Sequence, residues 1–176
     1  TEEESLRMSR LVEDMLLLAK LDEQRPLDRR PVDLAQLAID AGADARVVAP
    51  DRSIIIEAGA PTVVSGDEDR LRQVFANLVG NAIAHTERGA SITIRVLGDD
   101  HMAKVEVEDA GSGMPPEVVE RVTERFYRAD PSRSRQQGGS GLGLAIVDAA
   151  VSAHGGTLHV ESAPGRGTVV TFQIPR

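Results

Sequence analysis

Apolar residues recur at helical spacing in four stretches of the chain and alternate with polar ones in several others. Over residues 4–23, Met8, Leu11, Met15 and Leu18 alternate steps of three and four, with Val12, Leu16 and Ala19 widening the stripe. This predicts an amphipathic helix. The stretch RPLDRRP, residues 25–31, sets two prolines among charges and reads as a linker, so the globular part starts near Val32. There Asp33 is placed to cap a helix, with Gln36 three residues on and Leu34, Leu37, Ala38 and Ala41 continuing the pattern. Short β-rich runs follow at 53–57 and 62–64. Asp67 then precedes a long helical stripe of Leu71, Val74, Phe75, Leu78, Val79, Ala82 and Ile83, ending about His85.

Period-two alternation takes over in SITIRVL and AKVEVED, which flank the turn GDDHM and predict a hairpin. It stops at DAGSGMPPE, after which a short helix is expected from Glu117. The segment GGSGLGLAIV, residues 138–147, opens another helix reaching about His154, with Leu142, Ala145, Ile146, Ala149 and Ala150 at helical spacing. GTLHVESA and GTVVTFQIP, around PGRG, give two closing strands. Strands mostly neighbour one another in sequence and helices are interspersed unevenly. The expected class is therefore α+β, a mixed, mostly antiparallel sheet covered on one face by helices.

The glycine-rich segment raises the question of a phosphate site. A P-loop would need Gly-Lys-Ser/Thr at a fixed distance, and no Lys follows a glycine here. A dinucleotide fingerprint would need a buried strand just before Gly138, where the chain instead reads DPSRSRQQ. What remains is a loop feeding a helix N-terminus, whose unpaired N–H groups attract anions; a glycine-rich turn without a ligand fits these residues equally well.

Composition narrows the partners. A formal net charge of -8 disfavours nucleic acid and offers no basic stripe for a membrane surface. The only aromatic residues, Phe75, Phe126, Tyr127 and Phe172, are too few for a base-stacking platform. Absence of cysteine excludes disulfides, zinc-thiolate sites and cysteine nucleophiles. No apolar run approaches the roughly 18 residues of a membrane span, so no membrane contact is expected of this segment.

Five segments, in order, carry a resemblance: NLVGNAIAHT (77–86), DAGSGM (109–114), RFYR (125–128), GGSGLGLAI (138–146) and GRGT (165–168). They resemble the N box, first glycine box, F box, second glycine box and last glycine turn of bacterial sensor histidine kinases. The resemblance implies a Bergerat-type α/β sandwich that binds ATP and Mg²⁺. It makes residues 32–176 the ATP-binding catalytic domain, residues 25–31 the linker, and residues 1–24 the second helix of a dimerisation bundle. An amphipathic helix docked on the domain's own surface is the other reading of that last segment.

Each motif also has a chemical reason. Asp109, following an apolar strand, is placed to accept a hydrogen bond from the adenine amino group, and an acceptor-only carboxylate discriminates against guanine; a turn-forming Asp is the alternative. Gly111 and Gly113 would let backbone pass close to the base, and Met114 would pack on the purine or in the core. Asn77 and Asn81 lie four apart on one helical face. By resemblance Asn81 is the Mg²⁺ ligand, an oxygen donor suited to a hard ion. Related ATPases carry a Glu at the position of Asn77 to activate water. An amide cannot act as that base, so the residue favours phosphoryl transfer over hydrolysis unless Asn77 is structural.

Ala84 stands where the family often has Lys or Arg, with His85 as a partial substitute or a plain surface residue. Arg128 is the phosphate candidate of the arginine-rich stretch that would form the ATP lid. Gly139, Ser140, Gly141, Leu142, Gly143 and Leu144 form the second glycine box, and Thr168 matches a threonine near the adenine, with a plain strand role as the alternative. The resemblance also implies a phosphoacceptor histidine on another bundle helix of a homodimeric kinase, in a His-Glu/Asp-x-Arg-x-Pro motif. None of His85, His101, His154 and His159 stands in such a motif. A response regulator downstream and a cytoplasmic location, as part of a membrane-anchored sensor, complete the expectation. Two rival readings are a hydrolytic ATPase of the same fold and a non-catalytic nucleotide-binding or dimerisation module.

Overall fold

The computed structural model describes Met8, Val12 and residues 26–127 and 141–176. Met8 and Val12 are helical and exposed, consistent with the N-terminal stripe; the rest of that expected helix lies outside the described residues.

The first strand, β1 (Arg30–Asp33), pairs antiparallel with β3 (Val63–Gly66) in a two-stranded sheet. Arg30 and Pro31 therefore belong to this pairing, although their proline-rich context reads as linker. A ribbon of two strands leaves every strand one free edge, where the missing N–H of Pro31 costs no ladder bond. Asp33 ends β1 and caps α1 (Leu34–Val48) by accepting from the Ala35 amide at 3.0 Å. The reciprocal capping box does not form, because the Gln36 side chain donates to Asp40 instead. The same Asp33 oxygen accepts from the Thr62 amide at 2.8 Å, tying the helix start to the approach of β3.

β2 (Ser53–Ala58) lies at one edge of a five-stranded sheet ordered β2, β4 (Ser91–Gly98), β5 (Met102–Asp109), β7 (Thr168–Pro175), β6 (Thr157–Ser162). The β2–β4 pair is parallel and the other three are antiparallel, the mixed sheet the pattern predicts. The parallel pair is joined through α2 (Glu68–Ala84), capped by Asp67 accepting from the Arg70 amide. A short α3 (Pro116–Val119) follows β5, and α4 (Gly143–Ala153) precedes β6.

One face of the sheet is apolar. Ile92, Ile94 and Val96 on β4, Ala103, Val105 and Val107 on β5, and Val170, Phe172 and Ile174 on β7 are buried there. They pack beneath a layer in which α2 contacts both α1 and α4. Phe75 of α2 meets Phe172 edge-on at 5.9 Å, a geometry worth about 0.5–1.5 kcal/mol beyond the area buried. The reverse face is charged: Arg95 pairs with Glu57 at 2.6 Å and with Glu108 at 2.5 Å, and Lys104 with Glu106 at 2.6 Å. Among the described residues, helices thus cover one face only.

Candidate functional site

The apolar rows of β5, β7 and β6 all end in polar residues at the same edge of the sheet. Register places Asp109 directly opposite Thr168, and Thr168 directly opposite Ser162. Directly opposed residues share a face, so these three side chains continue the buried rows toward the helix layer. Asp109 is 8% exposed. Its Oδ1 accepts from the Gly111 amide at 2.8 Å, and the Thr168 amide supports the same carboxylate. Burial nevertheless dominates, pushing the Asp109 carboxyl above the usual carboxylate range, while the two amides and nearby His85 pull against it. A carboxylate has about four lone-pair sites, so it retains capacity for a donor from outside.

Backbone crossings around this row leave no room for side chains. A β-carbon on Gly111 would stand 2.5 Å from the carbonyl oxygen of His85, at the end of α2. Gly113, at φ 66°, would collide with the Ala163 carbonyl oxygen at 1.9 Å, and Gly167, at φ 74°, with that of Asp109 at 2.0 Å. Only glycine combines that φ with so close an approach. The loop after β5, the end of α2 and the β6–β7 turn are thereby pressed into one wall. Met114 is half-buried in it, its amide donating to Ser162 Oγ at 2.8 Å.

The N box residues lie on α2. Asn81 faces the start of α4: a β-carbon at Gly143 would lie 3.4 Å from Asn81 Oδ1 and 3.5 Å from its Nδ2. Four positions back, Asn77 has its Nδ2 buried without a hydrogen-bond partner among the described residues. A buried amide donor left unpaired is costly. His85 caps α2, its amide donating to Asn81 O at 3.0 Å while its side chain is exposed. In the second glycine box, Gly141 accepts from the Phe126 amide at 3.0 Å, linking the F box to the start of α4. Leu142 is fully buried and Leu144 packs partly against the core. Arg128, Gly139 and Ser140 lie outside the described residues.

This donor set can be tested against Mg²⁺. Among the described residues no group of three or more His, Cys, Asp or Glu could hold a metal. What the site offers is a single carboxamide oxygen beside a helix N-terminus. That suits an ion which keeps several waters and binds through one or two protein oxygens plus substrate phosphates.

Three contributors escape the sequence reading. Ser162 bridges the first glycine box and the last glycine turn, yet in sequence it is only the inward residue of an alternating strand. Arg52 pins the end of α2, donating to Thr86 O at 2.7 Å and Thr86 Oγ1 at 3.1 Å, and no periodicity announces it. His154 joins α4 to α2: its Nε2 accepts from the Asp67 amide at 3.0 Å and its Nδ1 lies 2.7 Å from Ala150 O. Burial lowers its pKa, in keeping with a neutral ring protonated on Nδ1.

A family model described as histidine kinase-, DNA gyrase B- and HSP90-like ATPase matches residues 66–176. The chain is 50% identical over 163 residues to a probable sensor histidine kinase, TcrY, of Mycobacterium tuberculosis, covering 92% of this chain and 34% of that protein. It is 34% identical over 188 residues to the sensor histidine kinase WalK of Bacillus subtilis, covering 99% of this chain and 30% of WalK. The chain thus spans about a third of the length of these relatives. Among solved structures, the mycobacterial sensor histidine kinase MprB superposes with a TM-score of 0.73 at 31% identity, over 84% of this chain and 97% of that one. Full-length ShkA in complex with AMPPNP gives a TM-score of 0.80 at 30% identity, over 94% of this chain and 35% of that one. No helix among the described residues is long and apolar enough to cross a membrane.

Proposed function

This chain belongs to the family of histidine kinase-, DNA gyrase B- and HSP90-like ATPases, and we propose that it is the ATP-binding catalytic domain of a sensor histidine kinase. The observation that carries the reading is the placement of Asn81 against Gly143, the first residue of α4. A carboxamide oxygen of the kind that suits a hard ion, beside a helix N-terminus of the kind that stabilises phosphate, supports this reading.

Each residue then has a task. Asp109 accepts from the adenine amino group, its carboxylate held in place by the Gly111 and Thr168 amides. Gly113 and Gly167 let the backbone close around the base, with Met114 alongside. Gly141, Gly143 and the residues around them present amides to the phosphates; Gly139, Ser140 and Arg128, by the family resemblance, would add to that contact, and His85 lies near Asp109. Asn81 would hold Mg²⁺, which when bound screens the phosphate charge and orients the γ-phosphoryl group. The unpaired Asn77 Nδ2 would donate to the bound nucleotide or a water at its phosphates. Because Asn77 is an amide it cannot deprotonate water, which supports transfer over hydrolysis.

The acceptor would be a histidine on a bundle helix of the kinase dimer, other than the four histidines of this chain. His154 is buried, His85 caps α2, His101 sits in the β4–β5 turn and His159 lies on β6. A response regulator would receive the phosphoryl group next, and the domain would work on the cytoplasmic side of a membrane-anchored sensor. Two measurements test this reading. Asn81→Ala should abolish the Mg²⁺ dependence of ATP affinity without unfolding the chain; an intact magnesium effect would place the ion elsewhere. Incubation with γ-labelled ATP should leave this chain unlabelled until a protein carrying the acceptor helix is added. Acid-labile phosphohistidine on the chain alone would overturn the assignment.

A further inference from the structure

The polar triplet at the sheet end has a fixed hydrogen-bond direction, set by a residue with no assigned role. Ser162 Oγ has three partners: the Met114 amide at 2.8 Å, Gly167 O at 2.8 Å and Thr168 Oγ1 at 3.0 Å. A serine hydroxyl carries one proton and two lone pairs. Met114 N–H can only donate and Gly167 O can only accept, so the Ser162 proton goes to Gly167 O and the remaining lone pair faces Thr168. The Thr168 hydroxyl must then donate to Ser162. Its proton is committed away from the site, and Thr168 Oγ1 keeps only acceptor capacity.

That polarity sits beside a second acceptor. Thr168 is the direct cross-strand neighbour of Asp109, whose ionised carboxylate also only accepts. We propose that Ser162 is a specificity-determining residue: by taking the Thr168 proton it makes this wall of the site uniformly accepting. Such a wall selects a 6-amino purine, whose amino group has two protons to give, over a 6-oxo purine, which presents an oxygen there. The proposal rests on the ATP-binding reading above. Ser162 acts through Thr168 and the Met114 loop and needs no contact with the nucleotide itself.

The test is the affinity ratio of ATP to inosine triphosphate, which differ at this edge of the ring. In Ser162→Ala the Thr168 proton is released and can turn toward a 6-oxo group, and the Met114 amide loses its partner. Loosening of the loop would weaken both nucleotides alike, but the change of polarity acts on their ratio. The ratio should fall about three- to ten-fold, as expected for one neutral hydrogen bond gained or lost. Ser162→Thr, which keeps the hydroxyl, should restore it, and Thr168→Val should lower the ratio with Ser162 intact. An unchanged ratio in Ser162→Ala, with both affinities lowered together or neither altered, would overturn the proposal and leave Ser162 a structural bridge. Failure of the unsubstituted chain to bind either nucleotide would instead sink the ATP reading itself, and the proposal with it.

Discussion

Asp109→Asn should separate what the carboxylate does for the ligand from what it does for the fold. The change keeps shape and volume but replaces one acceptor oxygen by a donor. For the nucleotide, a hydrogen bond to a charged acceptor is lost, worth roughly 1.5–3 kcal/mol, so ATP affinity should fall about 10- to 100-fold. For the fold, two effects oppose each other. The amide presents one oxygen to the two backbone amides that the carboxylate serves, a loss of about 0.5–1.5 kcal/mol. Against this, burial raises the Asp109 pKa, so ionisation itself opposes folding. The carboxyl's stability contribution is complete below its unfolded pKa and is lost as pH rises through the raised folded value. At neutral pH the uncharged amide avoids that cost. The melting temperature should therefore move by no more than about 4 °C, as expected for 1 kcal/mol in a chain of this size. Calorimetric titration with a non-hydrolysable ATP analogue and thermal melts of the free chain supply both numbers. Binding by the parent chain should also weaken on acidification at a higher pH than an ordinary Asp would give. Asp109→Asn, compared at each pH, cancels protonation of the nucleotide phosphates. A folded Asp109→Asn with unchanged affinity would refute the adenine role; a collapse of the fold would show the carboxylate to be structural.

Other outcomes follow from single contacts. Gly167→Ala puts a β-carbon 2.0 Å from Asp109 O at φ 74°, whereas Gly165→Ala, at φ 75°, meets nothing within 4 Å. In urea titrations Gly165→Ala should cost about 1–2 kcal/mol, the left-handed penalty alone, and Gly167→Ala clearly more; equal costs would mean the crossing is loose. His154, pulled down by burial and flanked by Arg29, Asp67 and Arg70, should give stability that is complete above about pH 6.5 and is lost as pH falls through its lowered folded pKa. Thermal melts from pH 7.5 to 5 should show that loss, and His154→Gln should flatten the slope. A persisting slope would point to other groups.

Periodicity made most of the elements legible because it reports burial on one face of a helix or strand, and burial is what holds them in place. The stripe from Leu71 to Ala82 is buried on α2, and the alternation in AKVEVED is the inward row of β5. It failed at Arg30 and Pro31, where composition argued for a linker. Their pairing with Ser65 and Gly66 is a tertiary event that local pattern does not encode. It failed likewise at Gln36, whose side chain had an i+4 partner in Asp40 that competed successfully with the helix cap.

The site divides along the same line. Asp109, Gly111 and Gly113 were visible because each breaks its surroundings, an acid ending an apolar strand or glycines where side chains should be, whereas Thr168 was reached only through the family resemblance. Ser162 breaks nothing. It occupies a regular inward position of β6, and its importance arises only when register sets it opposite Thr168 and a loop 48 residues away in sequence brings it the Met114 amide. Arg52 and His154 belong to the same class, each satisfying the end of a helix more than 30 residues distant. Candidate ligand residues such as Asp109 mark themselves by chemical incongruity. Residues that set a neighbour's direction or charge do so through long-range partners, so they emerge only when every donor and acceptor at the site has been assigned.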